Sequence, residues 1–150
     1  MNIQDLLSKD SIFLSLEPGS REEIIRKMAA GLTASGSVTD LEKYVQAVLA
    51  REAQSSTGIG FGVAIPHGKS AGVARASLSF ARLAQPADWE SLDDKPVSIV
   101  FMIAVPEENV GNEHLKILVA LSRKLIHEEF REQLLKAGSA DEIIELVKNI

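Results

Sequence analysis

Apolar residues recur with helical spacing in five segments of the chain. Three of these segments begin with a capping-box pattern, in which Ser or Thr stands three residues before Glu: Ser20–Glu23, Thr39–Glu42 and Ser139–Glu142. A fourth helix is predicted from Asn112 to about Ile126, and because this segment is apolar on most sides we expect it to be buried. A shorter helix is predicted over Glu128–Lys136.

Strand patterns lie between these helices. Ser11–Leu16 and Ala76–Leu83 alternate between apolar and polar residues, and Val63–Ile65 is a short strand candidate that enters Pro66. Val97–Val105 is apolar almost throughout, as expected of a central strand that is covered on both faces. The order of elements predicts an α/β fold: a three-layer sandwich in which a central mixed, mostly parallel β-sheet is flanked by helices on both faces.

Composition narrows the class of protein. The chain has 150 residues, of which 45% are hydrophobic and 25% charged, so we expect a single domain over residues 1–150. A net charge of −5 argues against a nucleic-acid partner, and the absence of Cys excludes disulfides and thiolate metal sites. The N-terminus lacks the order of a signal peptide, and the longest apolar run, Ile99–Val105, is too short to span a bilayer. A cytoplasmic protein without direct membrane insertion is predicted.

The segment STGIGFGVAIPHGKSAG (Ser56–Gly72) is rich in glycine but matches no phosphate-binding loop. The dinucleotide fingerprint fails because position 63 is Val where a third glycine is needed. The P-loop pattern fails because five residues, one of them Pro66, separate Gly62 from the following Gly-Lys-Ser. A G-x-S-x-G elbow is also lacking, so neither nucleotide binding nor serine hydrolysis is supported.

His67 lies between Pro66 and Gly68 in this segment. Proline fixes φ before the histidine, and glycine adds no side chain after it. One interpretation is a loop that presents the imidazole to a large partner. The other is a tight turn whose histidine is simply solvated.

Other polar residues could join His67. His114 follows Asn112, a good N-cap residue, in the first turn of its helix, where the helix dipole disfavours imidazolium. A neutral His114 could donate to a phosphoryl oxygen, or it could be only a polar first-turn residue. Arg51 ends a helix predicted over Asp40–Ala53, and it either complements the helix C-terminus or lies beside His67 and neutralises a bound phosphoryl group. His127 is predicted to be a solvated surface residue.

Two blocks of sequence resemble a known family. REAQSSTGIGFGVAIPHGK (Arg51–Lys69) and EHLKILVALSRKL (Glu113–Leu125) are similar to the fructose/mannitol-type enzyme IIA, a cytoplasmic component of the phosphoenolpyruvate-dependent sugar phosphotransferase system. The likeness covers essentially the whole chain. A similar branch of the family serves nitrogen-related regulation, but ADWESLDDKPV (Ala87–Val97) resembles the fructose-type members. Val63 departs from an expected isoleucine and conserves its apolar character.

The resemblance implies a chemistry for each site residue. His67 is the histidine phosphorylated on Nε2, His114 the second active-site histidine and Arg51 the active-site arginine, while Thr57 occupies a matching polar position. The histidine-containing phosphocarrier protein HPr would be the donor, and a cysteine of a cognate enzyme IIB, part of a membrane sugar permease, would be the acceptor. No cofactor and no metal are expected, since phosphoryl transfer needs mainly positioning and charge stabilisation.

Two alternatives to a carrier in sugar uptake stay open at this level. The first is a regulatory module that binds partner proteins in a phosphorylation-dependent way. The second is a metal enzyme that uses His67, His114 and Glu113 as ligands. Of the apolar residues near the site, Phe61 is predicted to form part of an interface, and Val63 to be a core residue.

Overall fold

The computed structural model describes residues 2–17, 19–108, 112–148 and 150. Two short 3-10 turns, Ile3–Leu6 and Lys9–Ser11, precede the first strand. The strands are β1 (Ile12–Leu16), β2 (Gly58–Gly60), β3 (Val63–Ala64), β4 (His67–Ser70), β5 (Ser77–Ala87) and β6 (Val97–Pro106). The helices are α1 (Arg21–Ala34), α2 (Leu41–Gln54), α3 (Glu113–Leu125), α4 (Glu128–Lys136) and α5 (Ala140–Val147).

The strands form one mixed sheet with the order β1-β5-β6-β3-β2, and β4 also pairs with β6. The pairs β1–β5, β3–β6 and β4–β6 are parallel, while β2–β3 and the long β5–β6 pair are antiparallel. The predicted mixed, mostly parallel sheet is therefore confirmed.

Strand β6 is the centre of the sandwich and is covered on both faces, as its continuous apolar sequence predicts. Val100, Met102 and Ala104 belong to the core beneath α1 and α2. Ile99, Phe101, Ile103 and Val105 belong to a second core beneath α3, α4 and α5. These two cores make the three predicted layers.

Two of the three predicted helix starts are confirmed and one is wrong by a residue. Ser20 and Glu23 form a reciprocal capping box, and Ser139 accepts from the N–H of Glu142. At α2, however, Asp40 is the N-cap, not Thr39. The backbone N–H and the hydroxyl of Thr39 both donate to the carbonyl of Gly72, so that side chain is not free to cap the helix.

Helix α3 is buried on one face only, which corrects the prediction of a helix buried on most sides. Ile117, Leu121 and Leu125 are fully buried, but Leu115 and Val119 are nearly half exposed. The reason is its place in an outer layer, where one face packs on the sheet and the other meets solvent. Among the described residues, no helix is both long and apolar enough to cross a membrane.

Candidate functional site

The glycine-rich segment is a β-hairpin followed by a further strand, not the loop that its composition predicted. β2 and β3 pair antiparallel through Phe61 and Gly62, whose φ angles are +62° and +76°. Two consecutive residues with positive φ are typical of the type I′ turn, which matches the twist of a hairpin. Gly58 has a different role: a Cβ there would lie 2.9 Å from the Cα of Ser91. The glycines therefore build a tight hairpin beside the site.

β3 and β4 follow one another along the same edge of β6. Val63 lies opposite Ile99 and His67 opposite Ile103. Pro66 separates the two strands, and although it has no N–H to donate, its carbonyl accepts the N–H of Ile103 at 3.0 Å. His67 is thus the first residue of a parallel strand, and the prediction of a histidine in a loop or turn is corrected.

Gly68 is required by the packing of α2 against β4. A Cβ at this position would lie 2.9 Å from Cγ2 of Val48 and 3.3 Å from Cε1 of Tyr44. The glycine next to the histidine therefore allows a helix to approach the strand, and it is not there to clear the path of a partner. Close approach of α2 brings its C-terminal turn toward the site.

One hydrogen bond orients the imidazole of His67. Its Nδ1 lies 3.0 Å from the carbonyl oxygen of Ile65. Because a carbonyl only accepts hydrogen bonds, Nδ1 carries a proton, and in the neutral ring Nε2 keeps its lone pair. The half-buried ring lines a surface groove together with Arg51, Thr57 and Ile65. In the neutral form of His67, Nε2 is therefore the nucleophilic nitrogen.

His114 lies beside His67, in the first turn of α3. The ring centroids are 6.4 Å apart and the ring planes are inclined by 27°. Burial, followed by the nearby charges of His67 and Lys69, lowers the pKa of His114 below its ordinary value. The lowered pKa favours the neutral ring near pH 7, which is the state expected from the sequence, and its largest cause is burial. Its Nδ1 is buried and has no hydrogen-bond partner among the described residues.

The residue that precedes α3 does not cap the helix as expected. Asn112 occupies the N-cap position, but its backbone is left-handed, with φ at +51°. Within the described part of the chain, its side chain makes no capping hydrogen bond. The prediction that Asn112 caps α3 with its side chain is therefore wrong.

Arg51 lies in the last turn of α2, on the wall of the groove that also contains His67. Its Nη1 donates to the carbonyl of Ser55 at 2.8 Å and lies 3.4 Å from the hydroxyl of that residue. The helix-terminal role is thus present in the structure, and Arg51 lines the same groove as His67. The two interpretations of Arg51 are compatible.

Thr57 is buried at the base of the same groove. Its hydroxyl donates to Oε2 of Glu52, and its backbone N–H donates to Oε1 of Glu52 at 3.3 Å. The hydroxyl is therefore directed toward the interior.

Sequence reasoning missed the buried carboxylate beneath the site. Glu52 is 6% exposed and accepts a hydrogen bond from Nε1 of Trp89 at 3.2 Å in addition to those from Thr57. A signal was available: Glu52 follows Val45 and Val48 at helical spacing, so the periodicity of α2 places it on the apolar face. Lys69 was missed as well, and it shares a face of β4 with His67 because the two are two residues apart.

The two apolar residues considered in the sequence, Phe61 and Val63, differ in exposure. Phe61 is 54% exposed and lies under the guanidinium of Arg131, whose Cζ is 4.6 Å from the ring centroid. Val63 is fully buried, which confirms it as a core residue, and His127 is exposed as expected. The side chain of Glu113, needed for the metal-enzyme alternative, lies outside the described residues. No group of three metal-binding side chains occurs among the described residues.

An unprotonated imidazole nitrogen, a second neutral imidazole and a guanidinium on an α/β sandwich suit the transfer of a phosphoryl group between proteins. The family model for the phosphoenolpyruvate-dependent sugar phosphotransferase system, EIIA 2, matches residues 5–150. The chain belongs to this family.

Two curated relatives match nearly the whole chain. The PTS system fructose-specific EIIA component of Haloferax volcanii is 37% identical over 149 residues, which are 99% of this chain and 96% of that protein. The PTS system fructose-specific EIIABC component of Bacillus subtilis is 45% identical over 147 residues, which are 98% of this chain. The chain spans only 23% of the length of the Bacillus protein.

Solved structures share the same fold. Nitrogen regulatory protein IIA-Ntr from Neisseria meningitidis is 36% identical with a TM-score of 0.89, and the match covers 97% of this chain and 98% of that one. The mannitol enzyme IIA of Escherichia coli, in a complex with phosphorylated enzyme IIB, is 29% identical with a TM-score of 0.81. That match covers 96% of this chain and 98% of the other.

Proposed function

We propose that His67 accepts a phosphoryl group on Nε2 from the phosphocarrier protein HPr and passes it to a cysteine of a cognate enzyme IIB during sugar uptake. The observation that carries this proposal is the hydrogen bond from Nδ1 of His67 to the carbonyl of Ile65. It leaves Nε2 as the nucleophile without any need for a general base.

The first transfer is an in-line displacement at phosphorus. The lone pair of Nε2 forms a new P–N bond while the P–N bond to the donor histidine breaks, and its electron pair returns to the donor ring. Because Nδ1 of His67 keeps its proton, the phosphorylated ring carries positive charge. The carbonyl of Ile65 stabilises that charge through the same hydrogen bond.

In the second transfer, a cysteine thiolate of enzyme IIB forms a P–S bond and the P–N bond of His67 breaks. The electron pair returns to Nε2, which restores the starting tautomer. Arg51 and a neutral His114 donate to the equatorial oxygens in both steps, and the loss of one such donor typically costs about 10²–10³ in rate. Thr57 belongs to the site as a residue that shapes the base of the groove.

A fructose-type permease is the proposed destination of the phosphoryl group. Both curated relatives described above are named as fructose-specific, and one of them joins its EIIA to EIIB and EIIC in a single chain. The mannitol enzyme IIA whose complex was solved is bound to phosphorylated enzyme IIB, which supports an enzyme IIB as the acceptor.

A regulatory role is a second candidate, favoured by the TM-score of 0.89 with the nitrogen regulatory protein. In that role the phosphorylation state of His67 would control binding to a partner protein. The two functions differ in the fate of the phosphoryl group: discharge to a cysteine of a fructose-type enzyme IIB supports the carrier, whereas phosphorylation-dependent binding without discharge supports the regulator.

The decisive experiment is intact-mass analysis after incubation with phosphoenolpyruvate, enzyme I and HPr. We expect the wild type to gain one acid-labile phosphoryl group and His67→Ala to gain none. His127→Ala is the matched control, because this exposed histidine should leave phosphorylation unchanged. His114→Ala should still form phosphohistidine but transfer it poorly.

A folded His67→Ala variant that still accepts phosphate would refute the assignment of His67. A wild type that stays unmodified by proven donors would refute the carrier function. The single domain over residues 1–150 and the cytoplasmic location stay predictions.

A further inference from the structure

A buried carboxylate joins four separate segments of the chain beneath the groove. Glu52 on α2 accepts hydrogen bonds from the N–H and hydroxyl of Thr57 and from Nε1 of Trp89. Nη1 of Arg21, the first residue of α1, lies 3.7 Å from Oε1 of Glu52 and also donates to the carbonyl of Trp89 at 3.3 Å. The carboxylate thus accepts hydrogen bonds from a strand-entry segment and a loop tryptophan, and it forms an ion pair with a second helix.

The hydrogen bonds continue from Glu52 to the imidazole. The carbonyl of Thr57, whose N–H and hydroxyl are bonded to Glu52, accepts the N–H of Ile65 at 3.0 Å. The carbonyl of Ile65 then accepts Nδ1–H of His67, also at 3.0 Å. Pro66 lies between these last two residues, and its fixed φ limits how far the Ile65 carbonyl can turn from the ring.

We propose that Glu52 is a positioning residue for His67: through Thr57 and Ile65 it fixes the tautomer and the orientation of the phosphorylated imidazole. This inference rests on the proposed function of His67. Glu52 acts on His67 only by fixing positions. No proton can pass along these hydrogen bonds, because within both Thr57 and Ile65 the N–H and the carbonyl are separated by a Cα. The effect of Glu52 is to hold the Ile65 carbonyl where only the Nδ1–H tautomer is satisfied.

The cost of burial supports a role beyond packing. A carboxylate removed from water is expensive, and well-packed apolar residues of similar volume are often at least as stable. Here the only cation within 4 Å of Glu52 among the described residues is Arg21, whose side chain is 27% exposed. The arrangement is therefore better explained by the geometry that it imposes on Thr57 than by a gain in stability.

The test compares the histidine tautomer in unphosphorylated proteins labelled with ¹⁵N-histidine. Long-range ¹H–¹⁵N spectra of the wild type should show a pyrrole-type Nδ1 and a pyridine-type Nε2 for the neutral ring of His67. Glu52→Gln keeps the shape but directs an NH₂ group toward some of the donors, so we expect a mixture of tautomers. Ser79→Ala is the matched control, since it also deletes one buried hydrogen bond, to the carbonyl of Ser11, away from this path.

Kinetics provide the second readout. Glu52→Gln should lower the maximal rate of phosphoryl transfer from phosphorylated HPr by about 10-fold to 10²-fold, the range expected for misorientation of a reacting group. The KM for HPr should be unchanged, because Glu52 is buried and does not reach the docking surface. A purely structural role would instead reduce the amount of folded protein and leave the tautomer and the rate per folded molecule as in the wild type.

Thr57→Val keeps the experiment decisive if Glu52→Gln does not fold. This substitution removes the hydrogen bond from the Thr57 hydroxyl to Glu52 but leaves the backbone N–H of residue 57 able to donate. We therefore expect a smaller change in the tautomer of His67 and in the transfer rate, in the same direction as for Glu52→Gln. Wild-type tautomer and rate in the folded variants would overturn the proposal. A wild type that accepts no phosphoryl group would refute the proposed function instead, and the tautomer comparison would still decide whether Glu52 orients His67.

Discussion

The imidazole rings of His67 and His114 are stacked with centroids 6.4 Å apart, although His67 begins β4 and His114 lies in the first turn of an outer helix. His67 is opposite Ile103, which belongs to the core beneath α3. Residues opposite one another in register point to the same face of a sheet, so His67 faces the layer that carries His114. The two histidines are therefore brought together by the register of β4 on β6 and by the packing of α3 on that face of the sheet.

Burial of His114 should be visible in its titration. We expect NMR titration to give a pKa below the ordinary value of about 6.5, first because burial penalises the imidazolium and then because His67 and Lys69 are near. His67→Ala should raise this pKa, since it removes a neighbouring charge and hydrates the ring. His127→Ala should leave it unchanged.

The same shift has a consequence for stability. Between the folded and ordinary pKa values of His114, the unfolded chain binds the proton more readily than the folded chain. The contribution of His114 to the free energy of unfolding is therefore complete above the ordinary pKa and is lost as pH falls through the folded pKa. Denaturant unfolding of the wild type and of His114→Ala, repeated across this pH range, measures the contribution of His114. Identical dependence of the free energy of unfolding on pH in the two proteins would contradict the prediction.

Arg51 should matter for rate far more than for stability. Arg51→Ala is expected to lower the phosphoryl-transfer rate by about 10²–10³, as for other single donors to a transition state. The hydrogen bonds lost to Ser55 are local, so the free energy of unfolding should fall by only about 1 kcal/mol. Arg51→Lys keeps the charge without the planar fork and should recover part of the rate. Transfer by Arg51→Ala at the wild-type rate would leave Arg51 as a helix-terminal residue only.

Gly68 should not tolerate even a methyl group. Gly68→Ala places a Cβ 2.9 Å from Cγ2 and 3.2 Å from the backbone nitrogen of Val48, so we expect a loss of about 1–3 kcal/mol in the free energy of unfolding. Gly138→Ala is the control, because its Cβ would meet only Glu142 at 3.6 Å. Equal stability of the two variants in urea would show that α2 is not held against β4 as described.

Phe61 should affect partner recognition without being needed for the fold. Phe61→Asn suits the left-handed position of the type I′ turn and should leave the melting temperature close to that of the wild type. Loss of the exposed ring should raise the KM for HPr or for enzyme IIB. Ile126→Asn, at a similarly exposed residue at the C-terminal end of α3, is the control, and an equal effect of both substitutions would argue against an interface at Phe61.

Local patterns in the sequence were sufficient for much of the fold. Helical spacing located α4 from Glu128 to Lys136, and the continuous apolar run of β6 predicted a strand covered on both faces. These signals depend on residues a few positions apart, which is why they can be interpreted without knowing the neighbours. The motif around His67 was equally local, and it was sufficient to indicate the family.

The sequence by itself determined which segments form helices and strands and which histidine is the candidate for phosphorylation. Tertiary structure decided that α3 exposes one face, that Gly68 serves the packing of α2, and that the carbonyl of Ile65 selects the tautomer of His67. It also decided that Glu52, on an apolar helix face, meets donors from Thr57, Trp89 and α1. The physical reason is that burial and hydrogen-bond partners depend on segments distant in the chain, and only packing of the layers brings those segments together.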